Sequence, residues 1–398
     1  TRAWLAAVEA AGLKDMPDAD RLAWAAYSAG QYTLAQRWLD RAPRNTPISC
    51  WVESKLLLRA GKTDQAVAKL AAAVGGLPRN PGPWQVPEED WERSCNGRNF
   101  AEGSTAAGEL ATLKLARGQY VEALDLLYRN GWWSDAALVA DRILTADELV
   151  AYVDKNWPKP LADQQPMRAR QQDSVIEPPP PSVRDIRHLL ARRLVREGRL
   201  ELAAQYMPAE YRKQLDEYTR GLAVGGDPKA ARDKRADGLW QAAKVLRKYG
   251  MELAGCELEP DAAIWEGNFE YGLVESRLDG PGEWVDVNGV STVRRTRPKI
   301  APPSADERNR IARSQAVPDK RFHYRYNAAE LGWRAAEMMP DESDRTAAVL
   351  CEAGTWLKDR DPKAADRFYK ALVRRCGSTP LGRSASSRRW FPSLPAQP

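Results

Sequence analysis

A pattern that returns around successive glycines limits what this chain can fold into. After Gly30 it sets Tyr32, Ala35, Leu39, Ala42 and Pro47, and after Gly61, 31 residues on, it sets Ala66, Leu70, Ala73 and Pro78 at matching offsets. Leu22-Ala23 and Tyr27 precede the first glycine, and Leu57-Leu58 the second. Copies follow around Gly118 (Leu110-Ala111, Leu115, Tyr120, Ala123, Leu127) and Gly198 (Leu190-Ala191, Leu194-Val195, Leu200, Ala203, Met207). A fifth runs through Trp356-Leu357, Ala365, Tyr369 and Leu372, with Arg360 in the glycine's place.

Each position has a physical role in a helical hairpin. The glycine takes the positive φ that closes the first helix. The small residue five positions later lets the second helix come close, and the bulky apolar residue four further on fills the space between neighbouring hairpins. Pro47 and Pro78 cannot continue a helix and are expected to end the unit, while Pro43 cuts the second helix of repeat one short.

These offsets resemble the tetratricopeptide repeat, a helical hairpin that stacks into a right-handed superhelix. The resemblance covers about half of the chain and is degenerate. No copy carries the full family signature, and the glycine spacing stretches to 57 residues between Gly61 and Gly118 and 80 between Gly118 and Gly198. It implies an all-α stack of helix-turn-helix repeats with irregular insertions. The expected segments are repeats over 1–157, a Pro/Gln-rich linker over 158–183 and middle repeats over 184–259. An irregular insertion over 260–320, a C-terminal repeat over 321–377 and a tail over 378–398 follow.

Between the repeats, 134–143 and 146–152 read as short helices, the latter capped by Thr145 and followed by Asp147-Glu148. Residues 237–249 carry an amphipathic stripe of Leu239-Trp240, Ala243, Leu246 and Tyr249. Periodicity fails from 260 to 320. There Asn288-Gly289 sits between alternating apolar residues and predicts a small β-hairpin near 284–294; the remainder reads as loop until Pro302-Pro303 marks a return to helix.

Composition narrows the chemistry. The chain has only two histidines, His188 and His323, and no apolar run long enough to span a membrane. Its five cysteines form no CxxC pair and no Cys/His cluster along the sequence, so no zinc site is expected, and no other metal or cofactor. Phosphate-binding and metalloprotease motifs are absent, and Glu275-Ser276 only echoes the glutamate-serine pair of the helical lytic transglycosylases. No catalytic residue is assigned. The net charge of +6 is spread thinly, apart from Arg294, Arg295, Arg297 and Lys299 and a tail with Arg383, Arg388 and Arg389; this argues against a nucleic-acid partner. Abundant tryptophan and the Pro-rich stretches point towards an exported, periplasmic bacterial protein, with the cytoplasm as the alternative.

In the family that the repeats resemble, the first helix of each hairpin lines a concave groove. Carried onto this chain, those positions are Asp20, Trp24, Tyr27 and Ser28 in repeat one, and Trp51, Lys55, Leu58 and Arg59 in repeat two. Repeat three contributes Thr112, Leu115 and Ala116, and repeat four His188, Arg192, Val195 and Arg196. The resemblance therefore implies a non-catalytic scaffold binding a protein or extended peptide through Trp24, Tyr27, Trp51, Lys55, Arg59, His188, Arg192 and Arg196. None of these is Asn, so the family's Asn/Lys carboxylate clamp is not expected. The alternative is a helical accessory region of a larger enzyme.

Overall fold

A computed structural model of the chain describes residues 1–12, 16–78, 102–158, 185–268, 272–287, 290–296 and 300–392. The linker predicted over 158–183, apart from Pro158, lies outside them, as do Cys95, the hairpin tip Asn288-Gly289, Arg297 and Lys299. Among the described residues there are 19 α-helices and one two-stranded antiparallel sheet. The fold is all-α with a small hairpin. No helix among them is long and apolar enough to cross a membrane.

The helices occur as consecutive hairpins. After α1 (Arg2–Ala10) come α2 (Ala19–Ser28) with α3 (Tyr32–Arg41), then α4 (Pro47–Arg59) with α5 (Thr63–Gly76), and α6 (Glu102–Ala116) with α7 (Tyr120–Arg129). Next is α8 (Trp133–Leu138), which runs into a π turn, Val139–Ile143. Then come α9 (Ala146–Asn156), α10 (Ile186–Arg196), α11 (Leu200–Tyr206), α12 (Ala209–Gly226) and α13 (Arg232–Ala254). The α9 start carries a full capping box between Thr145 and Glu148, and α13 extends the predicted 237–249 stripe at both ends.

The predicted turn chemistry is present and recurs once more than the sequence pattern suggested. Gly30, Gly61, Gly118 and Gly198 have φ of 76°, 74°, 74° and 74°. In each, the glycine N–H and the next residue's N–H return to carbonyls of the closing helix, for example Gly61 to Leu58 O (3.1 Å) and Lys62 to Leu57 O (2.9 Å). Gly131, with φ of 83°, makes the same turn between α7 and α8. The residue five positions on is a fully buried alanine in all five: Ala35, Ala66, Ala123, Ala136 and Ala203. A larger side chain there would push the paired helices apart.

Three local expectations are corrected. Pro47 does not end repeat one; it opens α4 as its first helical residue, where a missing N–H costs nothing, and Thr46 caps it by accepting from Ser49 N (3.1 Å). In repeat one the core is filled by Trp38 rather than by its half-buried neighbour Leu39. Arg360 does not imitate the glycine: its φ is not positive, and the chain turns through 356–360 with Asp361 capping the next helix by accepting from Ala364 N (3.0 Å).

The 260–320 segment also holds more helix than its sequence suggests. It contains α14 (Leu273–Asp279), the hairpin β1 (Gly282–Val287) and β2 (Val290–Arg295), paired Val285 to Thr292, and then α15 (Ala305–Arg313). The chain ends with α16 (His323–Glu337), α17 (Asp344–Thr355), α18 (Pro362–Arg375) and α19 (Pro380–Arg388).

Two compact units divide these elements: one uses the described residues of 1–144 and 273–313, the other those of 145–272 and 314–398. In the first, small apolar clusters lie between successive hairpins, one around Leu22, Ala26 and Trp38 and another around Trp51, Leu70 and Leu110. Residues 273–313 of the insertion belong to the same unit. Arg277 grips the fully buried Glu307 in two contacts (2.6 and 2.8 Å), and Tyr120 donates to Asp306 Oδ2 (3.0 Å). In the second, α12 and α13 cross so closely that a Cβ on Gly238 would sit 2.8 Å from the Gly221 carbonyl oxygen, which only glycine allows.

Candidate functional site

The groove positions of repeats one and two come together. Trp24 on α2 stacks on Trp51 on α4, with ring centroids 4.1 Å apart, and Tyr27 continues the row 6.3 Å from Trp24. Lys55, one turn along from Trp51, holds its Nζ 5.3–5.7 Å from the Trp24, Tyr27 and Trp51 ring centroids. From α6, Glu109 closes the arrangement: its Oε1 accepts from Lys55 (2.6 Å) and its Oε2 from Trp51 Nε1 (2.9 Å). Three first helices thus share one ladder of rings, an ammonium and a carboxylate. Sequence reasoning missed Glu109, because its partners lie more than 50 residues away.

At one end of the ladder the side chains become more exposed. Arg59 lies over Tyr32, its guanidinium carbon 3.5 Å from the ring centroid, and Tyr32 meets Tyr27 edge-on at 5.2 Å. Burial pushes the Tyr27 hydroxyl above its ordinary pKa, with the neighbouring Tyr32 adding to the effect. Arg59 is exposed and has no carboxylate partner among the described residues. The guanidinium also interacts with the Tyr27 hydroxyl and works against the rise in its pKa, and an exposed guanidinium is suited to take a carboxylate as a partner. Asp20 and Thr112 have local roles instead: Asp20 Oδ2 accepts from the capping Thr46 (2.7 Å), and Thr112 bonds back to Gly108 O (3.0 Å).

Repeat four differs at the same offsets. His188 places Nε2 2.8 Å from the Glu252 carbonyl and stacks on Tyr211 at 5.5 Å. A carbonyl only accepts, so Nε2 carries the hydrogen. Burial, and then the Arg192 charge, push the imidazole pKa down to about 3. Arg192 is buried in an ion pair with Glu257, and Arg196 donates to Ala254 O (3.2 Å) and Gly255 O (2.9 Å), capping the end of α13. His188, Arg192 and Arg196 therefore face the protein's own α13 and the loop after it and bond to groups there, although Arg192 Nε is buried with no hydrogen-bond partner among the described residues.

The remaining sequence candidates are also held by neighbours. Glu275 and Arg295 form an ion pair (2.7 Å), Ser276 accepts from the same arginine (3.2 Å), and Arg294 pairs with Glu283 (2.9 Å). One assembly escaped the sequence reading altogether. Cys256, Asp261 and His323 each bring a ligand-type atom within 4.8 Å of the other two, all fully buried. Since His323 is 62 residues beyond Asp261, no spacing motif announces the group.

No protein-family model matches the chain, and no curated protein or solved structure is significantly similar to it.

Proposed function

We propose that the chain is a degenerate tetratricopeptide-like stack and a non-catalytic scaffold, and that the first-helix face of repeats one to three binds an extended acidic peptide segment of a partner protein. The observation that carries this reading is the ladder from Trp24 through Trp51 and Lys55 to Arg59, in which the buried Trp51 backs the half-buried rings of Trp24 and Tyr27, and these lead to an exposed, ring-stacked guanidinium with no carboxylate partner among the described residues. Aromatic side chains give large contact area at small entropy cost, and a preset guanidinium selects carboxylates over neutral groups. The helix-turn geometry shared by five glycine turns supports the family likeness. The surface is narrower than the resemblance implied, since His188, Arg192 and Arg196 are engaged within the chain.

The experiment is selection from a displayed library of unstructured peptides, followed by calorimetry on the synthesised winners. Enrichment of Asp or Glu next to an aromatic residue is expected, with at least tenfold weaker binding to Arg59→Glu at unchanged thermal stability. Selected peptides that bind Arg59→Glu and Trp24→Ala as tightly as the parent would remove the assignment.

A further inference from the structure

In the second unit, arginines gather around one ring. The guanidinium carbons of Arg360, Arg325 and Arg321 lie 4.3, 4.5 and 5.2 Å from the ring centroid of Phe322, the buried residue that precedes α16. Arg321 donates to the Gly267 carbonyl. A fourth cation, Arg247, arrives from α13. No side chain fits at Gly250, where the Tyr324 ring lies against the backbone of α13. That close approach brings Arg247, one turn before Gly250, near Arg325, which follows Tyr324 on α16. Burial first, and then the Arg325 charge, push the Arg247 guanidinium below its ordinary pKa, and only the Tyr324 hydroxyl acts against them.

Arg247, Arg325 and Arg360 lack what buried arginines elsewhere in the chain possess. Arg192, Arg277 and Arg375, whose side chains are 7%, 10% and 17% exposed, each grip a carboxylate: Glu257, Glu307 and Asp341. Arg247 and Arg325 are half-buried and have no carboxylate partner among the described residues, and the Nε of each is buried without a hydrogen-bond partner. Arg325 also meets the Tyr324 hydroxyl, which brings no negative charge, because burial raises its pKa. The nearest acids are engaged elsewhere: Asp261 by Cys256 and His323, and Asp361 by Lys320 (2.6 Å) and the start of α18. Two half-buried like charges without a counter-ion are unfavourable, since poorly solvated surroundings strengthen repulsion as much as attraction. A negative group bound to both would remove that cost. We propose that Arg247 and Arg325, with the exposed Arg360 at the rim, bind a phosphate-class oxyanion.

The chemistry of the cations selects the ion. Each guanidinium offers paired N–H groups to two oxygens of a tetrahedral oxyanion, and several of them match the double charge of phosphate or a phosphate monoester better than the single charge of a carboxylate. Partial burial strengthens each bond, while the exposed Arg360 leaves the site open on one side. No residue is shared with the ladder from Trp24 to Arg59, so this inference stands or falls apart from the peptide reading.

Calorimetry on the full chain at fixed ionic strength should show one inorganic phosphate bound per molecule, and phosphate should raise the melting temperature where chloride does not. Arg247→Gln and Arg325→Gln should each weaken binding at least about tenfold and Arg360→Gln about threefold, while Arg59→Gln, in the other unit, changes nothing. Without phosphate, Arg247→Gln should melt no lower than the parent, because it relieves a repulsion and breaks no ion pair. Methyl phosphate is the second probe: tighter binding than inorganic phosphate would identify an ester as the natural source, and weaker binding the free ion. Absence of phosphate binding, equal stabilisation by chloride, or acetate bound as tightly as phosphate would overturn the proposal. Binding that survives in the Arg247→Gln/Arg325→Gln double variant would do the same, as would a lower melting temperature of Arg247→Gln without phosphate, which would show that the chain itself satisfies this guanidinium.

Discussion

Repeats two and four share the same glycine turn, the same buried alanine five residues later and cationic side chains at matching offsets on the first helix. In repeat two, Lys55 and Arg59 stay on a partly open face, where Lys55 meets rings and a carboxylate that retains 32% of its side-chain exposure. In repeat four, Arg192 and Arg196 are roofed by α13 and the loop that follows it, and Glu257, the partner of Arg192, is 1% exposed. The offsets therefore place a side chain on the first-helix face without deciding whether that face meets solvent. What covers it is set by a helix more than 35 residues further along.

The sharpest way to break this comparison is to remove the acid of each pair. Glu257→Gln leaves the Arg192 charge buried without its counter-ion, and the loss of one partner from such a pair costs about 3–5 kcal/mol. A large drop in the denaturant midpoint of the second unit is expected. A shift near zero would mean that Arg192 finds water or another acceptor, and that the roof over repeat four is looser than its burial implies.

A smaller effect, readable by pH, tests the same roof. His188 is held neutral, with its folded pKa pushed down to about 3 from the 6.5 of an ordinary imidazole. The unfolded chain takes up the proton first, so the contribution is intact above pH 6.5 and is lost as pH falls towards 3. Each pH unit in that window costs up to about 1.4 kcal/mol, and because the ring keeps some exposed surface, the loss at pH 5 is on the order of 1–2 kcal/mol. His188→Gln keeps a donor for the Glu252 carbonyl but does not titrate. Its stability should fall less than that of the parent between pH 7 and pH 5, and parallel curves would show that the imidazole is not confined.

What the sequence made legible follows from the range of each interaction. The turns at Gly30, Gly61, Gly118 and Gly198, the Thr145 cap and the 284–294 hairpin depend on residues a few positions apart, and all were readable. Gly131 followed by Ala136 carried the same signal and could have been found by applying the rule without regard to spacing. Trp24, Tyr27, Trp51, Lys55 and Arg59 were placed on one face because helical offsets are also local. Glu109, the burial of His188 and the meeting of Cys256 with His323 were not legible: each depends on which distant element packs where, and apolar periodicity gives helix faces but no pairing between them.

The finest test addresses the open side of the comparison. In Glu109→Gln, the amide oxygen can still accept from Trp51 Nε1 or from Lys55, but the charge is gone. Because the pair is partly solvated, its loss should cost only about 0.5–1 kcal/mol, less still in high salt. A cost as large as that of Glu257→Gln would make the ladder another sealed core contact and would count against a binding role. The effect on binding runs the other way. Lys55, no longer neutralised, would add a second cation beside Arg59, so an acidic peptide should bind Glu109→Gln more tightly than the parent while a neutral one does not. In repeat four no such gain is available, since any group uncovered by Glu257→Gln still lies under α13. Slight destabilisation with a gain selective for acidic peptide would mark repeat two as surface; equal affinities for acidic and neutral peptides would leave the rings as packing alone.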